Sequence, residues 1–208
     1  MNVKDILKKI VLPIAGLFCW NMFCYRGAML IQAAGNFTMH SVDLPVDDWI
    51  PLFVPSVHVY AEVCYVFWLV SLALVFLRGG KEAKRFALSI VIAEAVCALI
   101  FLVYPTTVVR PEIIGDGLSA KMLRLIYEVD NPVNLFPSVH CLGSWFGWIA
   151  VRGDKKIPKW YRVTAFVLMV LICVSTLTTK QHVFLDLVGG IALAEITYRA
   201  VGMFMKKE

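Results

Sequence analysis

Charge is scarce in this sequence. Asp, Glu, Lys and Arg make up 17% of its 208 residues, against 60% hydrophobic. A soluble domain runs nearer a quarter charged and half apolar, so an ordinary water-exposed fold is excluded. Low-complexity tracts and long Pro- or Ser-rich linkers are missing, which argues against a string of separate modules. None of the six cysteines (Cys19, Cys24, Cys64, Cys97, Cys141 and Cys173) stands in a CxxC or Cys/His metal spacing. They read as small buried hydrophobes. No carboxylate cluster has the character of a Mg²⁺ site, so neither a metal nor a cofactor is required. The net charge of +5 forms no basic stripe and is confined to the ends of apolar runs. Nucleic acid is therefore not an expected partner.

What is present is a series of long apolar runs. They predict membrane spans at about 10–33, 52–77, 85–105, 135–151, 160–177 and 183–204. The expected fold is an all-α integral membrane bundle of six transmembrane helices, one domain over residues 1–208. Lys4, Lys8 and Lys9 before the first run suggest a signal peptide, but no small-residue cleavage site follows, so that run is read as a helix.

Basic residues divide by side. Lys4, Lys8, Lys9, Arg78, Lys81, Lys84, Arg85, Arg152, Lys155, Lys156, Lys159, Arg162, Arg199, Lys206 and Lys207 share one face of a six-span arrangement. The other face holds Arg110, Lys121, Arg124 and Lys180 with most of the acidic loop residues. The positive-inside rule then puts both termini in the cytoplasm. The sizeable loop at about 106–134 lies outside, with an amphipathic piece near 118–128 expected to rest at the membrane interface.

Three polar clusters fall on that outer face. Tyr104–Pro111 contains Arg110, whose planar fork suits a phosphate. Phe136–His140 opens the fourth span. Pro137 suits a first helical turn, the free N–H groups there favour an anion, and His140 is placed to give a leaving oxygen a proton. Ser175–Asp186 leads into the last span. His182 and Asp186 are four residues apart and so share a helix face, and an ionisable residue inside an apolar segment is a functional candidate. A carboxylate on one ring nitrogen leaves the other as a nucleophile or proton carrier. Together these parts suit phosphoryl transfer.

In these residues the chain resembles the type 2 phosphatidic acid phosphatase superfamily, whose pattern is Lys-x6-Arg-Pro, Pro-Ser-Gly-His and Ser-Arg-x5-His-x3-Asp. Arg110-Pro111, then Pro137, Ser138 and His140, then Ser175, His182 and Asp186 match it. The resemblance implies a six-helix membrane enzyme acting on a phospholipid or isoprenoid phosphate in the bilayer. His182 would form a phosphohistidine, Asp186 would orient it, and His140 would serve as acid and then base. Arg110, Ser138 and Ser175 would hold phosphate oxygens. The departures are Val103 for the lysine, Val139 for the glycine and Thr176 for the arginine. Two cationic ligands are missing, each worth ~1.5–3 kcal/mol, and Lys180 is the local candidate to replace one. Fewer cations also resemble the phosphotransferase branch that includes inositol phosphorylceramide and sphingomyelin synthases. The expected function is hydrolysis of a lipid phosphoester. The alternatives are headgroup transfer to a lipid alcohol, and a transporter or scramblase using the same residues only to bind. Pro55-Ser56-Val57-His58 repeats the second tetrapeptide and is read as a chance repeat or a minor contact.

Overall fold

The computed structural model describes residues 2–205; Lys206 and Lys207, counted above among the inner-face charges, lie outside them. The described chain is helical, with isolated backbone bridges in its loops. We label the helices α1 (Val3–Ala34), α2 (Val54–Arg78), α3 (Gly80–Val103), α4 (Leu118–Val129), α5 (Val139–Arg152), α6 (Lys159–Thr178) and α7 (Phe184–Phe204). Short π-helical turns interrupt α1 at Leu7–Val11 and α2 at Val59–Val63.

Among the described residues, five helices are long and apolar enough to cross a membrane: α1, α2, α3, α6 and α7. α5 differs. Its 14 residues extend only about 21 Å at 1.5 Å per residue. It lies in the middle of the bundle against α2, α3, α6 and α7. Phe146, Ile149 and Val151 are buried along it with Ser144 and Gly147. A helix wrapped by protein needs no lipid-facing stripe, which is why its run is short and carries polar residues.

Small residues set the helix approach, as is usual where lipid supplies no hydrophobic drive. A Cβ on Gly147 would lie 2.5 Å from the Phe67 ring of α2, and one on Gly143 would lie 2.8 Å from Trp68. A Cβ on Gly190 of α7 would strike the Ser138 carbonyl. The α2–α3 connection is tight, and Gly79 and Gly80 turn it with φ of 64° and 70°, where a side chain would be strained.

Each end of the bundle has its own bonds. At one end, Arg78 Nη1 donates to Asp154 at 2.6 Å, Arg152 pairs with Glu195 at 2.7 Å, and Arg85 donates to the Tyr198 carbonyl at 2.9 Å. At the other, the Phe53 N–H donates to the Thr178 carbonyl at 2.8 Å, and Phe184 N–H to Asp47 Oδ1 at 2.7 Å. The second end carries all three polar clusters. The amphipathic piece expected near 118–128 is helix α4, held through Ala120 and Leu123, which pack with Val57 and Ile113, while Leu118, Leu125 and Val129 are exposed.

Candidate active site

The third cluster is a structured turn. α6 ends at Thr178, and Lys180 follows with φ 54°, a left-handed residue past a helix end. The Thr176 carbonyl then accepts both the Gln181 and His182 N–H groups at 3.1 Å. This pins His182 just ahead of α7. His182 Nδ1 lies 3.2 Å from Asp186 Oδ2, which also accepts the Val183 N–H at 3.0 Å. The carboxylate thus caps its own helix and holds the imidazole with the same oxygen. Asp186 is fully buried and its Oδ1 has no hydrogen-bond partner among the described residues. Burial disfavours the imidazolium, but the bond and charge from Asp186 outweigh it, and His182 titrates above the ordinary histidine value.

The second cluster meets the third directly. Ser138 is the N-cap of α5. Its hydroxyl accepts the Cys141 N–H at 3.3 Å, and its own N–H donates to the Asp186 carbonyl at 3.0 Å. Two residues on, within the first turn of α5, His140 lies with its ring centroid 6.0 Å from that of His182. Tyr60 of α2 stacks on His140 at 4.4 Å, and Trp68 tilts against it at 5.6 Å. The His140 Nε2 is buried without a hydrogen-bond partner among the described residues.

The first cluster arrives through a loop. Thr106 Oγ1 accepts the Leu135 and Phe136 N–H groups at 3.2 and 2.8 Å, fixing the segment that enters α5. Arg110 reaches Gln181, the residue before His182: its Nη2 donates to Gln181 Oε1, and its Nη1 to the Asp130 carbonyl at 2.6 Å. Burial lowers its pKa from the ordinary arginine value. Arg110 Nε remains buried without a hydrogen-bond partner among the described residues. Asp130 in turn accepts from the Tyr25 hydroxyl at 2.8 Å.

His140, His182, Gln181, Tyr60 and Asp130 line one end of a cavity of about 890 Å³. Its remaining wall is largely apolar and runs between α1, α2, α3 and α5 past Leu72, Ile90 and Phe146 to Ile14. That volume is at the upper end of the ~300–1,000 Å³ usual for ligand pockets.

Two other expected ligands are bonded to backbone carbonyls. The Ser175 hydroxyl donates to its own helix at Ile172, 2.7 Å away. Lys180 Nζ donates to the Asp47 carbonyl at 3.1 Å. Neither residue lines the cavity, and nor do Arg110 and Ser138, which border it through Gln181 and His140. His58 lies 3.0 Å from Ser119 of α4 and 3.1 Å from Glu62, so the repeated tetrapeptide ties α2 to α4. Tyr60, two residues on, is the one that reaches His140. The sequence does not single out Tyr60, Gln181 and Asp130, because an aromatic, an amide and a loop aspartate carry no spacing signal of their own. Among the described residues, no three His, Cys, Asp or Glu side chains converge as a metal cluster.

A model of the PAP2 superfamily matches residues 31–200 of the chain. No curated protein and no solved structure matches it.

Proposed function

Because the chain belongs to the PAP2 superfamily, we propose that it hydrolyses a lipid phosphoester through a phosphohistidine at His182. Membership supports a phosphatase- or phosphotransferase-type activity, a bilayer setting and a lipid phosphate substrate. The observation that carries the finer reading is the His182–Asp186 pair facing His140 at the head of an apolar cavity.

Asp186 holds Nδ1, so Nε2 is the nucleophile. It attacks phosphorus as the P–O bond to the lipid alcohol breaks, and protonated His140 gives its proton to the leaving oxygen. Neutral His140 then takes a proton from water, whose oxygen attacks the phosphohistidine. Phosphate departs and His182 is regenerated. Arg110 is the phosphate cation. Gln181 holds it beside the nucleophile until phosphate competes for the fork. Ser138 contributes at the N-terminus of α5, while Ser175 and Lys180 join as ligands once they exchange their present carbonyl partners.

The proposed topology is six passes, with α5 as the short, protein-wrapped sixth. Both termini are cytoplasmic and the site opens at the outer face. The inner-end bonds from Arg78, Arg85 and Arg152 support this, because that end carries the basic excess.

Headgroup transfer to a lipid alcohol is the second reading. It is favoured by the size and apolarity of the cavity and by Val103 and Thr176 standing where cations would serve a dianionic monoester. Phosphate release from lipid monoesters in detergent with EDTA, with His182→Ala as control, tests the first reading. Headgroup appearing on an added diacylglycerol or ceramide without free phosphate supports the second. Lipid flux that survives His182→Ala with no product of either kind supports a transporter.

A further inference from the structure

One helical turn below the polar head of the cavity is a polar pair with no role in the chemistry above. Glu94 of α3 is 7% exposed. Asn21 Nδ2 of α1 donates to its Oε1 at 3.0 Å. Its Oε2 is buried without any hydrogen-bond partner, and no cation pairs with it among the described residues. Both residues line the same cavity as His140 and His182.

A buried carboxyl oxygen with no partner is costly, and it persists where a ligand completes it. The depth is set by helix geometry. Tyr25, bonded to Asp130, marks the level of the polar head. Asn21 lies one turn below it, about 6 Å at 1.5 Å per residue, and Ile14 about 16 Å below. A lipid with its phosphate at His182 and its chain running towards Ile14 passes Glu94 within its first few backbone bonds.

We infer that Asn21 and Glu94 form a subsite for a lipid hydroxyl close below the phosphoester, an inference that rests on the proposed site at His182. A hydroxyl donates to a carboxylate and accepts from a carboxylic acid, so the match holds in either protonation state. An unsubstituted alkyl chain leaves Oε2 unpaired and is disfavoured. The hydroxyl is carried by the phosphate-bearing lipid or by a separate lipid alcohol in the same cavity.

The test uses the full chain in nanodiscs with an alkylglycerol phosphate bearing a free secondary hydroxyl, and its deoxy analogue. Wild type is expected to favour the hydroxylated phosphate about tenfold in kcat/KM. The ratio falls towards one in Glu94→Leu and Asn21→Leu, and in part in Glu94→Gln, which preserves shape if Glu94→Leu fails to fold. A phosphate-free alkylglycerol whose inhibition alone weakens in Glu94→Leu assigns the hydroxyl to a second lipid and supports the subsite. Equal ratios and equal inhibition in wild type and the variants overturn it. The same lipid pair is also scored by the shift in Tm on binding. A hydroxyl preference in Tm without turnover retains the subsite and sinks the catalytic reading; its absence there as well sinks the subsite.

Discussion

The backbone N–H of Ser138 donates to the carbonyl of Asp186 at 3.0 Å. This bond ties the first turn of α5 to the first turn of α7 and so sets His140 against His182. It forms only because Gly190 lets the two backbones touch, since a Cβ there would strike the Ser138 carbonyl and come within 3.1 Å of the Leu142 nitrogen.

Gly190→Ala therefore meets backbone that cannot rotate away. It is expected to destabilise the protein by about 1–3 kcal/mol and to lower turnover more than Gly153→Ala, where a Cβ meets nothing within 4 Å. Tm and phosphate release on the purified variants read both effects. Equal behaviour of the two variants counts against the close approach.

His182→Ala should abolish turnover, and His140→Ala should slow hydrolysis of an alkyl phosphate by about 10²–10⁴-fold. With p-nitrophenyl phosphate, whose leaving group needs no proton, the His140 variant should keep a first-turnover burst of nitrophenol. A burst lost equally on both substrates would place His140 in another role.

The pH profile follows from Asp186. His182 must be neutral to attack, and the Asp186 carboxylate on Nδ1 raises its pKa above the ordinary histidine value. The acid limb of kcat/KM is therefore expected above the pH at which an ordinary histidine titrates, with activity rising as pH passes through the raised pKa. Asp186→Asn removes the charge that favours the imidazolium, so the limb should move to lower pH while the plateau falls. A limb that stays put would detach it from His182.

Arg110→Lys replaces a fork bonded to Gln181 and the Asp130 carbonyl with a point charge. Loss of one charge-assisted bond is worth about 1.5–3 kcal/mol, so kcat/KM should fall roughly 10- to 150-fold. Gln181→Leu removes the partner that holds the fork and is expected to raise KM for phosphate-bearing lipids. Unchanged kinetics in both variants would remove Arg110 from phosphate binding.

The helical runs, the amphipathic loop helix and the His182–Asp186 pair were legible in the sequence. Each is a one-dimensional property: apolar length, 3.6-residue periodicity, or a spacing of four. The family motifs named His140 and Arg110 by the same kind of local pattern. Whether α5 crosses a bilayer was less legible, because a helix enclosed by α2, α3, α6 and α7 is freed from the apolar composition that reveals a span.

Tertiary structure decided the rest. Arg110 meets Gln181 across 71 residues of chain, Tyr25 meets Asp130 across 105, and Asn21 meets Glu94 across 73. No local spacing encodes such pairs; they arise where glycines let helices close and where a buried polar atom must find a partner. The same packing turned Lys180 to Asp47 and His58 to Ser119, and brought Tyr60 onto His140. The sequence by itself determined which segments are apolar and which residues have the chemistry. The fold alone decided which of them share a cavity, because that depends on how helices distant along the chain pack face to face.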